Sequence, residues 1–158
     1  MAQSVREVMT KDPVTIPLTA PVVEAAKLMQ QHDVGDVIVM DDGQVCGIVT
    51  DRDIVVRAIA DGKDPSATTL DEVCTRDLVT LSPDDSVGDA VRLMSERAVR
   101  RLPVVEDGTP VGIVTIGDLA MDRDPNSALA DISKAPPTSR GGVSHPSRSR
   151  STAAGSHA

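Results

Sequence analysis

The chain has 158 residues, a formal net charge of −8 and no Phe, Tyr or Trp at all. It is long enough for one substantial core, holds no apolar run near the roughly 20 residues of a membrane span, and begins with a segment, Met1 to Glu7, that lacks the basic and apolar regions of a secretory signal. A cytoplasmic protein is expected, without membrane contact, and nucleic acid is excluded as a partner because an acidic surface repels phosphate and no aromatic platform is present for stacking bases.

Two stretches repeat each other. Val5 to Ile54 realigns without a gap on Leu70 to Leu119, with roughly 19 of about 50 pairs identical. A unit this small does not bury its own apolar face, so two copies imply a composite core with a cleft between them. In chain order, Glu7 to Asp12 and then Val14-Thr15 predict a helical turn leading into a strand, echoed by Glu72 to Asp77 and Val79-Thr80. Val22 to His32 is an amphipathic helix with Val22, Ala25, Ala26, Leu28 and Met29 at helical spacing, and Val87 to Arg97 repeats it with Val87, Ala90, Val91, Leu93 and Met94. Each is followed by a hairpin, turning at Asp42-Gly43 and Asp107-Gly108 between β-branched runs, where glycine accepts the positive φ of a tight turn. A second helix closes each copy, at about Asp51 to Ala60 and Ile116 to Met121. The fold class is therefore α+β: a β-α-β-β-α unit used twice, at 5–62 and 70–123, with a linker at 63–69.

After Asp124 the composition turns to Pro, Ser, Arg, Gly and Ala, and a tail over 124–158 is expected to be disordered because it has little to bury. All Asp and Glu lie before Ser133, so the folded part carries about −12 and the tail about +4. A basic interaction arm is the functional alternative for that tail. Cys46 and Cys74 align with Val111 and Met9, which reads as small buried hydrophobes in a reducing compartment, with a redox pair as the alternative. Three histidines, without metal-ligand spacing, give no metal or cofactor site, and no nucleophile with a matched base points to an enzyme.

The pattern that carries chemistry is Gly-x-x-Thr-x-x-Asp, found as Gly47 to Asp53 and as Gly112 to Asp118. A strand end meets a helix N-terminus there, so backbone N–H groups favour an anion while a hydroxyl and a carboxylate project beside them. The carboxylate can accept both hydroxyls of a ribose and the threonine can reach sugar or phosphate. The same spacing is also a helix capping box, Thr50 with Asp53 and Thr115 with Asp118.

This doubled unit, with its Leu-Met helix, the Arg-Arg-Leu-Pro-Val-Val-Glu-Asp-Gly hairpin and Gly-Ile-Val-Thr-x-x-Asp closing each copy, resembles a tandem pair of CBS domains (a Bateman module) from Val5 to Arg123, of the small stand-alone bacterial and actinobacterial type. The resemblance implies two units packed sheet to sheet about a pseudo-two-fold axis, with clefts for AMP, ADP, ATP or S-adenosylmethionine. By position, Asp53 and Asp118 would hold ribose hydroxyls, Thr50 and Thr115 would lie near ribose or phosphate, and Val14-Thr15 and Val79-Thr80 would line the base pocket. A homodimer and a protein partner acting in trans are also implied. Without aromatic residues, adenine would rest on aliphatic side chains such as Val37 or Leu102. The copies differ at the start of the hairpin, where Arg100 and Arg101 stand opposite Gly35 and Asp36. Paired guanidinium groups suit a polyphosphate, so the cleft that receives them is the expected nucleotide site. The arginines also read as an alternating pair, one solvated and one in a salt bridge. Ile38 departs from the family's proline, found at Pro103, and this loosens the match in the first copy. Two functions are carried forward: a non-catalytic, nucleotide-sensing regulatory module, and a nucleotide-free, stress-linked interaction protein whose motifs only cap helices.

Overall fold

The computed structural model describes residues 3–127, 129, 130 and 132. Apolar positions at helical spacing make α2 (Val22–His32) and α4 (Val87–Arg97) run over the residues the periodicity marks. In α2 it is Val22, Ala25 and Met29 that are buried, while Ala26 is exposed and Leu28 half-buried; in α4 Val87, Ala90 and Met94 are buried and Val91 is exposed. The hairpins are β3 (Asp36–Asp41) with β4 (Gln44–Thr50), and β5 (Arg101–Glu106) with β6 (Thr109–Thr115). Asp42 and Gly43 turn the first at φ of 51° and 75°, and Asp107 and Gly108 turn the second at 52° and 77°. These left-handed pairs match the strand twist, as two-residue hairpins require.

The short leading segments are where structure and repeat boundaries part company. After a first helical turn, α1 (Val5–Val8), the strand β1 (Thr10–Lys11) pairs antiparallel with β6 of the other copy, Thr10 opposite Ile113 and Lys11 opposite Gly112. The reciprocal contact joins Thr75 to Ile48 by two backbone hydrogen bonds of 2.9 and 3.0 Å. The cores follow this exchange. Val5 packs with Leu81, Val87 and Leu102 in the second copy's core, and Leu70 and Val73 pack with Ile16, Val22 and Val37 in the first. The sequence repeats at 5–62 and 70–123 are therefore not separate packing units; each contributes its first few residues to the other.

β2 (Thr15–Pro17) adds to β3 in parallel, giving the sheet order β2-β3-β4, while the other sheet runs β1-β6-β5. Val79-Thr80, predicted as the matching strand, forms none: only Leu81 bridges Val104. Its neighbours are held through hairpin β5 by Leu81 N–H to the Pro103 carbonyl at 2.9 Å and Val105 N–H to the Leu81 carbonyl at 2.8 Å. The closing helices differ too. α5 (Ile116–Arg123) is regular, whereas α3 (Asp51–Asp53) widens into a π-helical stretch, Ile54–Ile59, marked by Ala60 N–H reaching the Val55 carbonyl at 2.8 Å.

The fold does not stop at Arg123. Asp124 to Ser127 form a turn, the Ser127 hydroxyl caps a further helical turn by accepting the Ala130 N–H at 3.0 Å, and Ala130 is fully buried. A serine cap and one small apolar residue suffice to anchor this piece, which corrects the expectation of a tail free from Asp124 onward. Residues 128, 131 and 133–158, on which the rest of that expectation rests, lie outside the described residues. No helix of the described residues is long and apolar enough to cross a membrane.

Candidate functional site

Both Gly-x-x-Thr-x-x-Asp motifs close as capping boxes. The Thr50 hydroxyl accepts the Asp53 N–H at 3.1 Å, and Asp53 Oδ2 accepts the Thr50 N–H at 3.0 Å. Thr115 and Asp118 repeat this at 3.2 and 2.8 Å. Each cap occupies one carboxylate oxygen. Asp53 Oδ1 lies 3.8 Å from Arg57 Nε, and no bond to Asp118 Oδ1 is formed among the described residues. Capping therefore uses one oxygen of each carboxylate; the other lies beside the Arg57 guanidinium at Asp53 and makes no bond to the described residues at Asp118.

Burial pushes the Asp118 carboxyl up, against the pull of its bonds to Thr115. An acid raised in the folded state gives stability that is present below its unfolded pKa and lost as pH rises through the folded one. Relative to Asp118→Asn, the wild type should gain stability as pH falls from about 7 to about 4. Denaturant titrations of both proteins across that range check this, and a wild type that loses stability relative to the variant as pH falls would contradict it.

A cavity of about 650 Å³ opens between the copies. Its apolar part includes Ile48, Leu78, Val79 and Leu102; its polar part includes Thr50 and Asp53 from the first copy and Arg100 and Arg101 from the second. The motif of one copy is thus completed by the hairpin of the other, because the exchange at Thr75 and Ile48 carries residues 75–79 of the second copy across β4. Of the remaining residues singled out in the sequence, Thr115 and Asp118 take the pseudo-symmetric position, outside this cavity. Thr15 is exposed on β2 and Thr80 is exposed beside Leu81, neither lining the cavity; Val37 is fully buried in the first copy's core. Sequence reading passed over Arg52, Asp77 and Arg97, which also line the cavity. For Arg97 the available signal is the density of cations from Arg97 to Arg101; Arg52 and Asp77 carry none.

Arg101 and Asp36 occupy equivalent positions in the repeat, and they pair with each other across the pseudo-two-fold axis, Nη1 to Oδ2 at 2.9 Å. The same guanidinium nitrogen reaches the Gly35 carbonyl at 3.5 Å. Burial pushes the Asp36 carboxyl up, the Arg101 charge holds it down, and Asp51 adds a further upward push. Of the two arginines, Arg101 is the one held in a salt bridge. The two thiols, Cys46 half-buried and Cys74 buried, are both pushed up by burial, which disfavours thiolate. Among the described residues no group of His, Cys, Asp and Glu is arranged to hold a metal.

Two copies of one α+β unit, closed on each other by exchanged leading segments around an amphiphilic cleft, define a tandem-repeat module of the ligand-binding regulatory class. The chain belongs to the CBS domain family, whose sequence profile matches residues 5–59 and 70–122. It is 42% identical over 134 residues to the CBS domain-containing protein YhcV of Bacillus subtilis, covering 82% of this chain and 95% of that one. It is 37% identical over 112 residues to hypoxic response protein 1 of Mycobacterium tuberculosis, covering 70% of this chain and 78% of the relative. Among solved structures, the hexameric CBS-CP12 protein of bloom-forming cyanobacteria superposes with a TM-score of 0.70 at 32% identity, covering 78% of this chain and 74% of that chain. Hypoxic Response Protein I, solved with two coordinated zinc ions, superposes with a TM-score of 0.67 at 32% identity, covering 74% and 96%.

Proposed function

We propose that this CBS pair is a non-catalytic regulatory module that senses an adenosine nucleotide (AMP, ADP, ATP or S-adenosylmethionine) and passes the signal to a protein partner in trans. The observation that carries this reading is the composition of the cleft: Ile48, Thr50 and Asp53 from one copy and Leu78, Val79 and Leu102 from the other line a cavity of about 650 Å³. That volume lies within the range of small-molecule sites, and the division into an aliphatic slot and a polar rim suits a flat base carrying a sugar and phosphates. Asp53 would take the ribose hydroxyls on the oxygen not used by the cap, and Thr50 and Arg100 would lie toward the phosphates. The slot lacks aromatic stacking, so affinity in the micromolar range is expected, suited to an abundant metabolite.

Because the cleft is built from both copies, a bound nucleotide would fix their relative placement, and this is the change a partner would read. A homo-oligomer is part of the proposal, consistent with the hexameric relative, and a cytoplasmic, stress-linked setting is consistent with the hypoxic-response relative. The test is thermal shift and calorimetry with the four compounds on the wild type and on Asp53→Ala. Stabilisation by one of them, lost in the variant, is expected, since a ligand that binds only the folded state raises stability by mass action. Equal shifts in both proteins, or none at millimolar concentration, would leave the motifs as helix caps alone.

A further inference from the structure

A second groove, of about 650 Å³, runs between α4 and α5 of the second copy. Met94 and Leu119, both buried in that copy's core, form its floor, and Val91, Val99 and Ile116 stand along it at 40, 36 and 46% exposure. Apolar side chains gathered in one groove mark a surface that something covers. Two cations, Arg100 and Arg123, line the groove and no carboxylate does. Arg123 has Asp122 beside it at 4.0 Å, so the edge carries an excess of positive charge rather than isolated cations.

The chain itself supplies a segment that matches. After α5 the chain turns, with the Ser127 N–H donated to the Asp124 carbonyl at 3.0 Å, and the helical turn that follows brings Leu129 into the lining of the groove and buries Ala130 completely. Ile132 comes three residues after Leu129, which places it on the same helical face, and it is 72% exposed. From Asp124 to Ile132 the sequence holds two acids, Asp124 and Asp131, and no base. Immediately beyond, the charge reverses: Lys134, Arg140, Arg148 and Arg150 follow without any acid. The acidic, apolar segment complements a basic-edged apolar groove, and the basic stretch after it does not.

We propose that the groove between α4 and α5 is the seat of the chain's own C-terminal segment, 124–132, with Leu129 and Ile132 as its apolar anchors and its acids drawn to the basic edge. The segment acts as a strap that keeps this helix face from associating with other chains. Ala98, Val99 and Arg100 line both this groove and the cleft between the copies, so strap and cleft share a wall.

Methyl NMR on the full chain tests the seat, because isotope-filtered spectra of mixed labelled and unlabelled chains separate contacts within one chain from contacts between chains. Cross-peaks from the Ile132 methyls to Val91, Val99 or Ile116 within one chain are expected. The same cross-peaks found only between chains would place a second copy in the groove, and their absence would leave Ile132 in water; either result overturns the proposal. Sedimentation reads the covering role. Leu129→Asp with Ile132→Asp should shift the full chain to a species of about twice the wild-type mass at equal concentration. A melting curve confirms that the variant folds, and Ile132→Asp alone, at a position already in contact with water, serves if the double variant does not. Unchanged mass in a folded variant would overturn the strap's covering role.

Discussion

Replacing Gly112 by valine is expected to lower stability by about 3 kcal/mol, the upper part of the range for overfilling a packed site. A Cβ at Gly112 would stand 2.5 Å from Met9 Sδ, 2.9 Å from Met9 Cγ and 2.9 Å from the Thr10 carbonyl oxygen. The methionine can swing aside. The carbonyl cannot, because Thr10 and Lys11 are laddered onto Ile113 and Gly112. The glycine is what permits the leading strand of one copy to lie against the last strand of the other. Gly47 plays the same part at the reciprocal contact, with the Thr75 carbonyl oxygen 2.8 Å and Cys74 Sγ 3.3 Å from its Cβ position. Gly47→Val should therefore cost a similar amount. Urea denaturation measures both, and a loss under about 1 kcal/mol at either position would show that the exchanged contacts yield easily.

The second large effect is expected at the Asp36–Arg101 pair. Removing one partner of a buried ion pair strands the other, but the two partners here are not equally buried. The Asp36 side chain is 15% exposed and that of Arg101 38%. Arg101→Ala strands the deeper group and should cost about 2 kcal/mol at neutral pH, whereas Asp36→Ala leaves a guanidinium that can turn to water and should cost about 1 kcal/mol. The asymmetry has a sign in pH. The Asp36 carboxyl already lies above its ordinary value because of burial and is held down by Arg101. Without Arg101 it rises further, so the penalty of Arg101→Ala should shrink as pH falls through the folded-state pKa of Asp36 and the acid becomes neutral. A double-mutant cycle isolates the coupling. Equal losses from the two single variants, at every pH, would contradict the assignment.

Much of this was legible from residue order because local periodicity dictates it. The helices at Val22–His32 and Val87–Arg97 and both Asp-Gly hairpins follow from spacing and turn chemistry alone. The capping geometry of Thr50 and Thr115 was one of two open readings, and the structure shows that it uses only part of each carboxylate. What an internal alignment does not encode is contact between copies. It places Arg101 opposite Asp36 as an equivalent and gives no sign that the two touch. It groups Val79 with Asp118 by copy, whereas the cavity brings Val79 to Asp53. It also predicts equal helices after equal hairpins, but Asp51 to Ile59 widens and Ile116 to Arg123 does not. The widened turn leaves Val55, Val56 and Ile59 at 57, 49 and 54% exposure, and no periodicity argument distinguishes that face from a core-facing one.

The exchanged leading strand also sets a clock on biosynthesis. Thr10 leaves the ribosome early, yet its partner Ile113 is made about a hundred residues later, so the sheet containing β1 stays open until the second copy has been made. The first copy cannot finish earlier by itself, since Leu70 and Val73 belong to its core. The nascent chain thus carries unclosed strand edges and exposed valines while the second copy is being made, and the two cores are completed together.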